Sequence, residues 1–140
     1  MSTSFAYPAQ VRTSQTIDLT VVNMQHLDDP IAISTLTQRC LGRPELVERV
    51  LSSFRKSAES DVEGMALAAR TTNREDLLKR AHRLKGTSLT ASAISLAEIA
   101  ERIHATAQDS EAQQLIQLTD QLHEEYSAIV RWLDSRQAGT

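Results

Sequence analysis

Apolar residues recur at intervals of three and four along most of the chain, which is the spacing of helices that bury one face. The first long stripe comprises Val47, Val50, Leu51, Phe54, Ala58, Val62, Met65 and Ala69. Three more follow, formed by Leu77, Ala81, Leu84 and Ser88, by Ala93, Leu96, Ala97, Ala100 and Ile103, and by Leu115, Leu118, Leu122, Tyr126, Ile129 and Leu133. Because short connections between amphipathic helices favour antiparallel neighbours, the pattern predicts an all-α, antiparallel four-helix bundle.

Local signals place the ends of these helices. An acceptor side chain followed by proline, Asp29-Pro30, predicts the start of a short additional N-terminal helix that Gly42 would end. The next helix would run from Pro44 to about Arg70. Capping boxes of the form S/T-x-x-E/Q begin at Thr72 and at Ser110, and predict the starts of two later helices.

The chain divides into one folded unit and two tails. Residues 1–28 lack a consistent period and are predicted to form a tail that is partly ordered at most, 29–136 the helical bundle, and 137–140 a C-terminal tail. Small residues at 91–93 predict a turn or a helix junction, and Gly64, inside the first long stripe, predicts a bend or a close contact.

Composition narrows the function classes. A net charge of −3 argues against a general affinity for nucleic acid. The single cysteine, Cys40, has no partner for a disulfide and no ligand spacing for zinc, so we expect a buried apolar residue and no metal site. Neither a secretory signal nor a run of roughly 18 apolar residues is present. The sequence therefore predicts a cytoplasmic protein without a membrane segment.

Charge is distributed unevenly. Six basic residues (Arg70, Arg74, Lys79, Arg80, Arg83 and Lys85) and only two acidic ones lie between positions 70 and 85 of a chain with more acidic than basic residues. Such a basic segment indicates a site for an anionic group or for an acidic partner pocket.

The most informative segment for chemistry is Ala81–Ser88. At about 100° per residue, His82 lies roughly 120–140° from the centre of the buried stripe, so its imidazole is expected to reach solvent. Lys85 and Gly86 follow at i+3 and i+4, on the same side of the helix as His82. The lysine could neutralise a phosphoryl group, and the glycine would leave room for a partner to approach the ring. The other histidines, His26, His104 and His123, show no i, i+4 pairing with a second ligand and are interpreted as structural or exposed.

The run His82-x-Leu84-Lys85-Gly86-x-Ser88 resembles the signature H-x-L-K-G-x-S of histidine phosphotransfer (HPt) domains. The resemblance extends from about residue 30 to 134 and includes Gly42–Phe54 and Leu96–Glu101. One position departs from the family pattern: Ser92 stands where the family usually has a glycine, ten residues after the histidine.

The resemblance implies that His82 is a phosphoacceptor, modified on Nε2 by the aspartyl phosphate of a response-regulator receiver domain, or the donor in the reverse transfer. It further implies phosphoryl stabilisation by Lys85 and steric clearance at Gly86. The partners would be receiver domains, or a hybrid sensor histidine kinase of which this chain is a part. No glycine-rich phosphate loop is present, so we expect a phosphocarrier and no enzyme. We expect it to need no cofactor of its own, with Mg²⁺ supplied by the receiver. Partner docking is predicted on the same helix face, at Leu78, Lys79, Arg83 and Leu89.

Two other functions remain open from the sequence. One is the phosphoacceptor helix pair of a histidine kinase, although Arg83 stands where that class has an acid, and no proline follows Pro44. The other is a helical adaptor without chemistry, which would leave Gly86 unexplained.

Overall fold

The fold is a ring of four long helices with one short helix leading into it. A computed structural model describes residues 29–138. Within that range the chain forms α1 (Ile33–Arg39), α2 (Pro44–Arg70), α3 (Arg74–Thr90), α4 (Ile94–Thr106) and α5 (Ala112–Ala138), and no strand. Each of the four long helices packs on the next, α5 returns to α2, and α1 rests on α2. The predicted all-α bundle with a short additional helix is confirmed.

The core of the bundle is built from the predicted stripes. Its largest fully buried side chains from the ring helices are Phe54, Val62, Met65, Leu77, Leu84, Leu96, Ile103, Leu115, Leu122 and Ile129. Two predicted core residues, Val50 and Leu118, are only half-buried, and pack against the cluster from its edge. Cys40 is buried and free, as expected. The stripes therefore fix which side of each helix remains for solvent.

The short helix α1 begins later than predicted. Residues 29–31 form bends, and the first helical residue is Ile33. The backbone N–H of Ala32 donates to the carbonyl of Ser92 at 2.9 Å, so the start of this segment is tied to the turn after α3. The Asp29-Pro30 signal was therefore wrong as a helix start, because a tertiary hydrogen bond holds this segment outside the helix.

Three helices end in the same kind of turn, with a residue in the left-handed region just after the helix. These residues are Leu41, Thr72 and Ser92, with φ of 59°, 56° and 62°. At the third turn the N–H of Ser92 donates to Leu89 O at 3.1 Å, and that of Ala93 to Ser88 O at 2.8 Å. The same pair of bonds closes the other two turns, which makes all three Schellman motifs. The predicted turn at 91–93 is confirmed.

Both predicted capping boxes were misplaced by one residue. Thr72 ends α2 in the left-handed conformation and cannot also cap α3. Asn73 takes that role, and its side chain accepts a hydrogen bond from the Asp76 N–H at 3.2 Å. Similarly α5 begins at Ala112, with its first bond running from the Leu115 N–H to Glu111 O, so the box starting at Ser110 lies one residue early.

The outer limits of the bundle differ slightly from the prediction. Helix α5 continues to Ala138, beyond the predicted end at 136. The predicted tail 1–28 lies outside the described residues and stays a prediction. No helix in the part of the chain that the structure describes is long and apolar enough to cross a membrane.

Candidate functional site

The imidazole of His82 lies on the outer face of α3. The side chains of Leu77, Ala81, Leu84 and Ser88 are fully buried on the opposite face, whereas His82 is exposed. Since the helix packs on α2 on one side and on α4 on the other, the ring stands on a strip of α3 that no other helix within residues 29–138 covers. The placement expected from the helical angle is confirmed.

Gly86 leaves open space one turn after the histidine. A Cβ atom built at this position would meet no heavy atom of the described residues within 4 Å, so the missing side chain serves no contact inside the bundle. A mid-helix glycine costs roughly 0.5–1 kcal/mol relative to alanine. Packing among the described residues therefore gives no reason for a glycine at this position.

Lys85 reaches sideways from α3 to α4. Its Nζ lies 2.9 Å from Oε1 of Glu101, and both side chains are partly exposed. The hydrogen bond and charge of Lys85 lower the pKa of the Glu101 carboxyl, with smaller contributions from His104 and His82. The lysine is therefore one turn from His82 as predicted, but its charge is shared with a carboxylate that the sequence analysis did not single out.

His104 stands beside His82 across the gap between α4 and α3. The two ring centroids are 5.6 Å apart, with the ring planes tilted by 43°. His104 is half-buried. His104 was interpreted as structural or exposed because no second histidine lies one turn from it on its own helix. Its neighbour His82 lies on a different helix.

Arg83 is held against α2 and does not stand free beside the histidine. Its Nη2 lies 2.6 Å from Oδ1 of Asp61, and its Nε lies 3.0 Å from Oδ2. The Asp61 side chain is only 1% exposed, so the arginine compensates a carboxylate that burial would otherwise strongly penalise. Arg83 was predicted as a docking residue, but here its guanidinium ties α3 to α2.

Much of the basic segment serves the bundle in the same way. Arg80 Nε donates to Asp76 Oδ2 at 2.9 Å, and its Nη1 lies 3.3 Å from Asp61 Oδ1. Arg74 donates to the backbone carbonyl oxygens of Ala107 and Ser110. Four of the six basic residues, Arg74, Arg80, Arg83 and Lys85, thus have partners within the bundle. Three of them, Arg80, Arg83 and Lys85, pair with carboxylates, so about half of the positive charge that was predicted to attract an anion is compensated within the bundle.

The remaining predicted docking residues differ in exposure. Leu89 is 41% exposed and lies close to the line of His82 and Gly86 along the helix. Lys79 is exposed. Leu78, by contrast, is half-buried and packs against the core. A shallow groove of about 380 Å³ lies on the α2 side of α3, lined by Arg49, Val50, Ser53, Phe54, Thr87 and Thr90.

Comparison with protein families decides what kind of bundle this is. The family model described as "Hpt domain" matches residues 49–132, which is more than half of the chain and contains the His82 motif. The chain belongs to the Hpt domain family. Neither the curated proteins nor the solved structures returned a match.

Membership in the Hpt domain family relates the helical bundle and the His82 motif to one role. Hpt domains are phosphocarrier modules that act in two-component phosphorelays, where they interact with receiver domains and kinases. The matched range is narrower than the predicted resemblance over residues 30–134, since it leaves out α1 and the start of α2.

Two functional candidates in the site were not found from the sequence. Glu101 and His104 lie on α4, sixteen or more positions after the motif residues they face. The sequence nonetheless carried a usable signal, because Glu101 and His104 are polar residues of the predicted α4 helix that do not belong to its apolar stripe. Asp61 carried no such signal, since it occupies a buried position next to Val62 in an otherwise apolar face.

Proposed function

We propose that this Hpt domain is a phosphorelay intermediate that accepts a phosphoryl group on His82 from a receiver aspartyl phosphate and passes it to an aspartate on another receiver. The observation that carries the proposal is an exposed imidazole beside the open space at Gly86, on a strip of α3 that none of the other described helices covers. An adaptor that only binds partners needs neither the ring nor the space next to it.

The transfer requires little from the bundle beyond presenting the ring. The lone pair of Nε2 forms the N–P bond as the P–O bond to the receiver's aspartate breaks, and the electron pair leaves with the carboxylate oxygen. The positive charge on the ring is then lost with the Nδ1 proton to water. The receiver would supply the aspartate and Mg²⁺, because phosphoryl transfer depends mainly on positioning and charge neutralisation. In the second transfer an aspartate oxygen of another receiver forms the P–O bond as the N–P bond to His82 breaks, and the imidazole regains its lone pair and its proton.

Lys85 is proposed to neutralise charge on the phosphoryl group during this transfer. Its ammonium is one helical turn from His82 and partly exposed, so a small rotation brings it from Glu101 toward the ring. The Glu101 carboxylate competes for the same ammonium. Lys85 therefore acts as a mobile partner for the phosphoryl group and not as a fixed one.

Docking is proposed to follow the His82 strip. Leu89 offers an exposed apolar contact, Gly86 offers space, and Lys79 offers a positive charge for an acidic receiver pocket. The groove on the α2 side of α3 gives a partner helix a second surface to rest on. Because Arg83 and Leu78 are held by Asp61 and the core, their part in docking is expected to be small.

The test is transfer from a panel of phosphorylated receivers to the purified chain, to His82→Gln, and to His123→Gln as a matched control on an exposed histidine of α5. Acid-labile label is expected on wild type and on His123→Gln, and none on His82→Gln. Label on His82→Gln, or no label on wild type from any receiver, would contradict the proposal. Labelling of the chain by ATP alone would instead indicate a histidine kinase.

A further inference from the structure

Asp61 on α2 is a buried carboxylate held by two arginines of α3. Its side chain is 1% exposed, and it is the only charged side chain among the buried ones within residues 29–138. Arg83 grips both of its oxygen atoms, with Nε 3.0 Å from Oδ2 and Nη2 2.6 Å from Oδ1, and Arg80 Nη1 lies 3.3 Å from Oδ1. Since loss of hydration offsets the attraction within a buried ion pair, such a pair adds little net stability compared with apolar side chains of similar size. What Asp61 does decide is where the charge of Arg83 lies.

Arg83 lies at the edge of the face that presents His82. It follows His82 directly in the helix, so its side chain leaves α3 about 100° further round, where it meets α2. That side chain is 56% exposed even though its guanidinium is bound. Thr87, one turn later on the same side of α3, lines the groove that a partner helix is proposed to use. An arginine at this position that was not bound to Asp61 could turn to the groove and add a positive charge to it.

The ion pair lowers the positive charge that the bundle presents to a partner. Positive charge beside a docking face raises the rate of encounter with acidic partners in general, because the attraction acts before the surfaces fit together. Asp61 compensates Arg83 at short range, whereas Lys79 on the same helix is exposed. The charge left for attracting a receiver is thus smaller than the basic residues of α3 suggest.

We propose that Asp61 is a positioning residue that sets receiver selectivity, by binding the guanidinium of Arg83 against α2 and keeping it from the docking face. The proposal rests on the proposed function of His82 and concerns which receivers reach that residue. With Arg83 held, receivers are discriminated by how well they fit Leu89 and the space at Gly86, and strongly acidic receivers gain no extra attraction. Without Asp61, acidic receivers react faster and the selectivity of the bundle falls.

The test follows the charge of Arg83 through three variants. Asp61→Leu removes the carboxylate, fills its place with an apolar side chain and leaves Arg83 without its partner. Asp61→Leu/Arg83→Gln removes the freed charge as well. Asp134→Leu is the matched control, because it makes the same change of net charge but frees Arg55, at the contact of α2 with α5. The initial rate of label transfer to each variant is measured with phosphorylated receivers of differing surface charge, at low and at high salt.

At low salt, Asp61→Leu should take the label from the most acidic receivers about fivefold faster than wild type, the effect of one added charge pair near the surface. The gain should largely disappear at high salt. The double variant and Asp134→Leu should stay within about twofold of wild type, since neither adds charge beside His82. Because an apolar residue replaces a buried ion pair, the urea midpoint of Asp61→Leu should stay close to that of wild type. Asp61→Asn, which keeps the shape of the side chain and loses its charge, should shift the rates in the same direction.

A second measurement is made on the native side chains. Wild type labelled with ¹⁵N is bound to a receiver that carries beryllofluoride in place of its phosphoryl group. The Nε–H of Arg83 should give no cross-peak to the receiver, because it stays bound to Asp61, and such cross-peaks should appear in Asp61→Leu. A cross-peak from Arg83 to the receiver in wild type would overturn the proposal, and this outcome does not depend on how well any variant folds.

Failure of this proposal differs from failure of the relay. If wild type takes no label on His82 from any receiver, the relay is wrong and the role of Asp61 falls with it. If wild type is labelled there, equal rates in wild type and Asp61→Leu with acidic receivers at low salt overturn the selectivity role alone. A gain that persists in the double variant, or an equal gain in Asp134→Leu, also overturns it, since the charge of Arg83 would then not be the cause.

Discussion

Two glycines of the bundle differ in how much space surrounds them, Gly86 lying in open space and Gly64 against another side chain. A Cβ at Gly86 would meet nothing within 4 Å, whereas a Cβ at Gly64 would overlap the guanidinium of Arg80. That guanidinium is tied to Asp76 and Asp61. The predicted close contact at Gly64 is thus confirmed and is structural, while nothing within the bundle requires a glycine at position 86.

Gly86→Ala is expected to make the protein more stable and the relay slower. The free energy of unfolding should rise by about 0.5–1 kcal/mol, because the helix gains a better helix former and the methyl group has room. Transfer from a phosphorylated receiver should fall, since the methyl group enters the space beside His82. Urea unfolding and the transfer rate are measured on the same sample.

The control, Gly64→Ala, should gain no stability because Arg80 must move, and should transfer at the wild-type rate. Normal transfer by Gly86→Ala would show that a partner does not use this space.

At the same scale, exposure of His82 could be predicted because it depends only on an angle within one helix. The proximity of His104 could not, because it depends on how far α4 is shifted along α3, and no local pattern encodes that shift. The contact of Arg83 was also not predictable from one helix. It was predicted to face a partner, but the buried carboxylate of Asp61 on α2 binds its guanidinium.

The turns between helices carry backbone strain that the sequence pattern did not show. The Schellman position just after a helix is usually glycine, because the left-handed conformation costs other residues about 1–2 kcal/mol. Here Leu41, Thr72 and Ser92 occupy it. At Ser92, where a family glycine was expected, the left-handed turn forms all the same, and the Ser92 hydroxyl accepts a hydrogen bond from Arg39 at 3.2 Å. The turn is therefore kept by its backbone bonds and by side chains around it.

Thr72→Gly is expected to stabilise the bundle by about 0.5–1 kcal/mol. Relief of the left-handed strain exceeds the added freedom of the unfolded chain, and Thr72 is exposed, so no packing is lost. Thr71→Gly is the matched control. Its φ of −94° requires no glycine and its hydroxyl donates to Leu67 O at 2.9 Å, so stability should fall. Equal effects of the two substitutions on the urea midpoint would mean that strain at this turn is negligible.

At the scale of the whole molecule, the contact between the first and last ring helices closes the bundle. The hydroxyl of Tyr126 on α5 donates to the carbonyl of Arg55 on α2 at 3.0 Å. On the same interface Arg55 pairs with Asp134, and Arg136 pairs with Glu48. The stripe pattern predicted that Tyr126 would be buried, but not that α5 returns to α2, because four equal amphipathic helices permit more than one order around a ring.

This closure should weaken in alkaline solution. Burial raises the pKa of Tyr126 to about 12 from an ordinary value of 10.0, with Glu59 adding to the effect. Between those values the folded protein keeps a proton that the unfolded chain loses, so stability should fall as pH rises from about 10 to about 12. The measurement is the free energy of unfolding against pH for wild type and Tyr126→Phe. The variant should start about 1 kcal/mol lower from loss of the hydrogen bond, and show a shallower decline. Parallel curves would indicate that folding does not raise the pKa of Tyr126.

The strip of α3 that the other described helices leave uncovered has a kinetic consequence for the proposed relay. Donor and acceptor receivers must use the same imidazole from the same side, so they exclude each other and a three-protein complex cannot form around His82. Each cycle then contains an interval in which the loaded bundle diffuses alone between two encounters. An abundant receiver that neither donates nor accepts the phosphoryl group would compete for that face and lower the rate of transfer. The relative concentrations of the partners would therefore control how fast the signal passes.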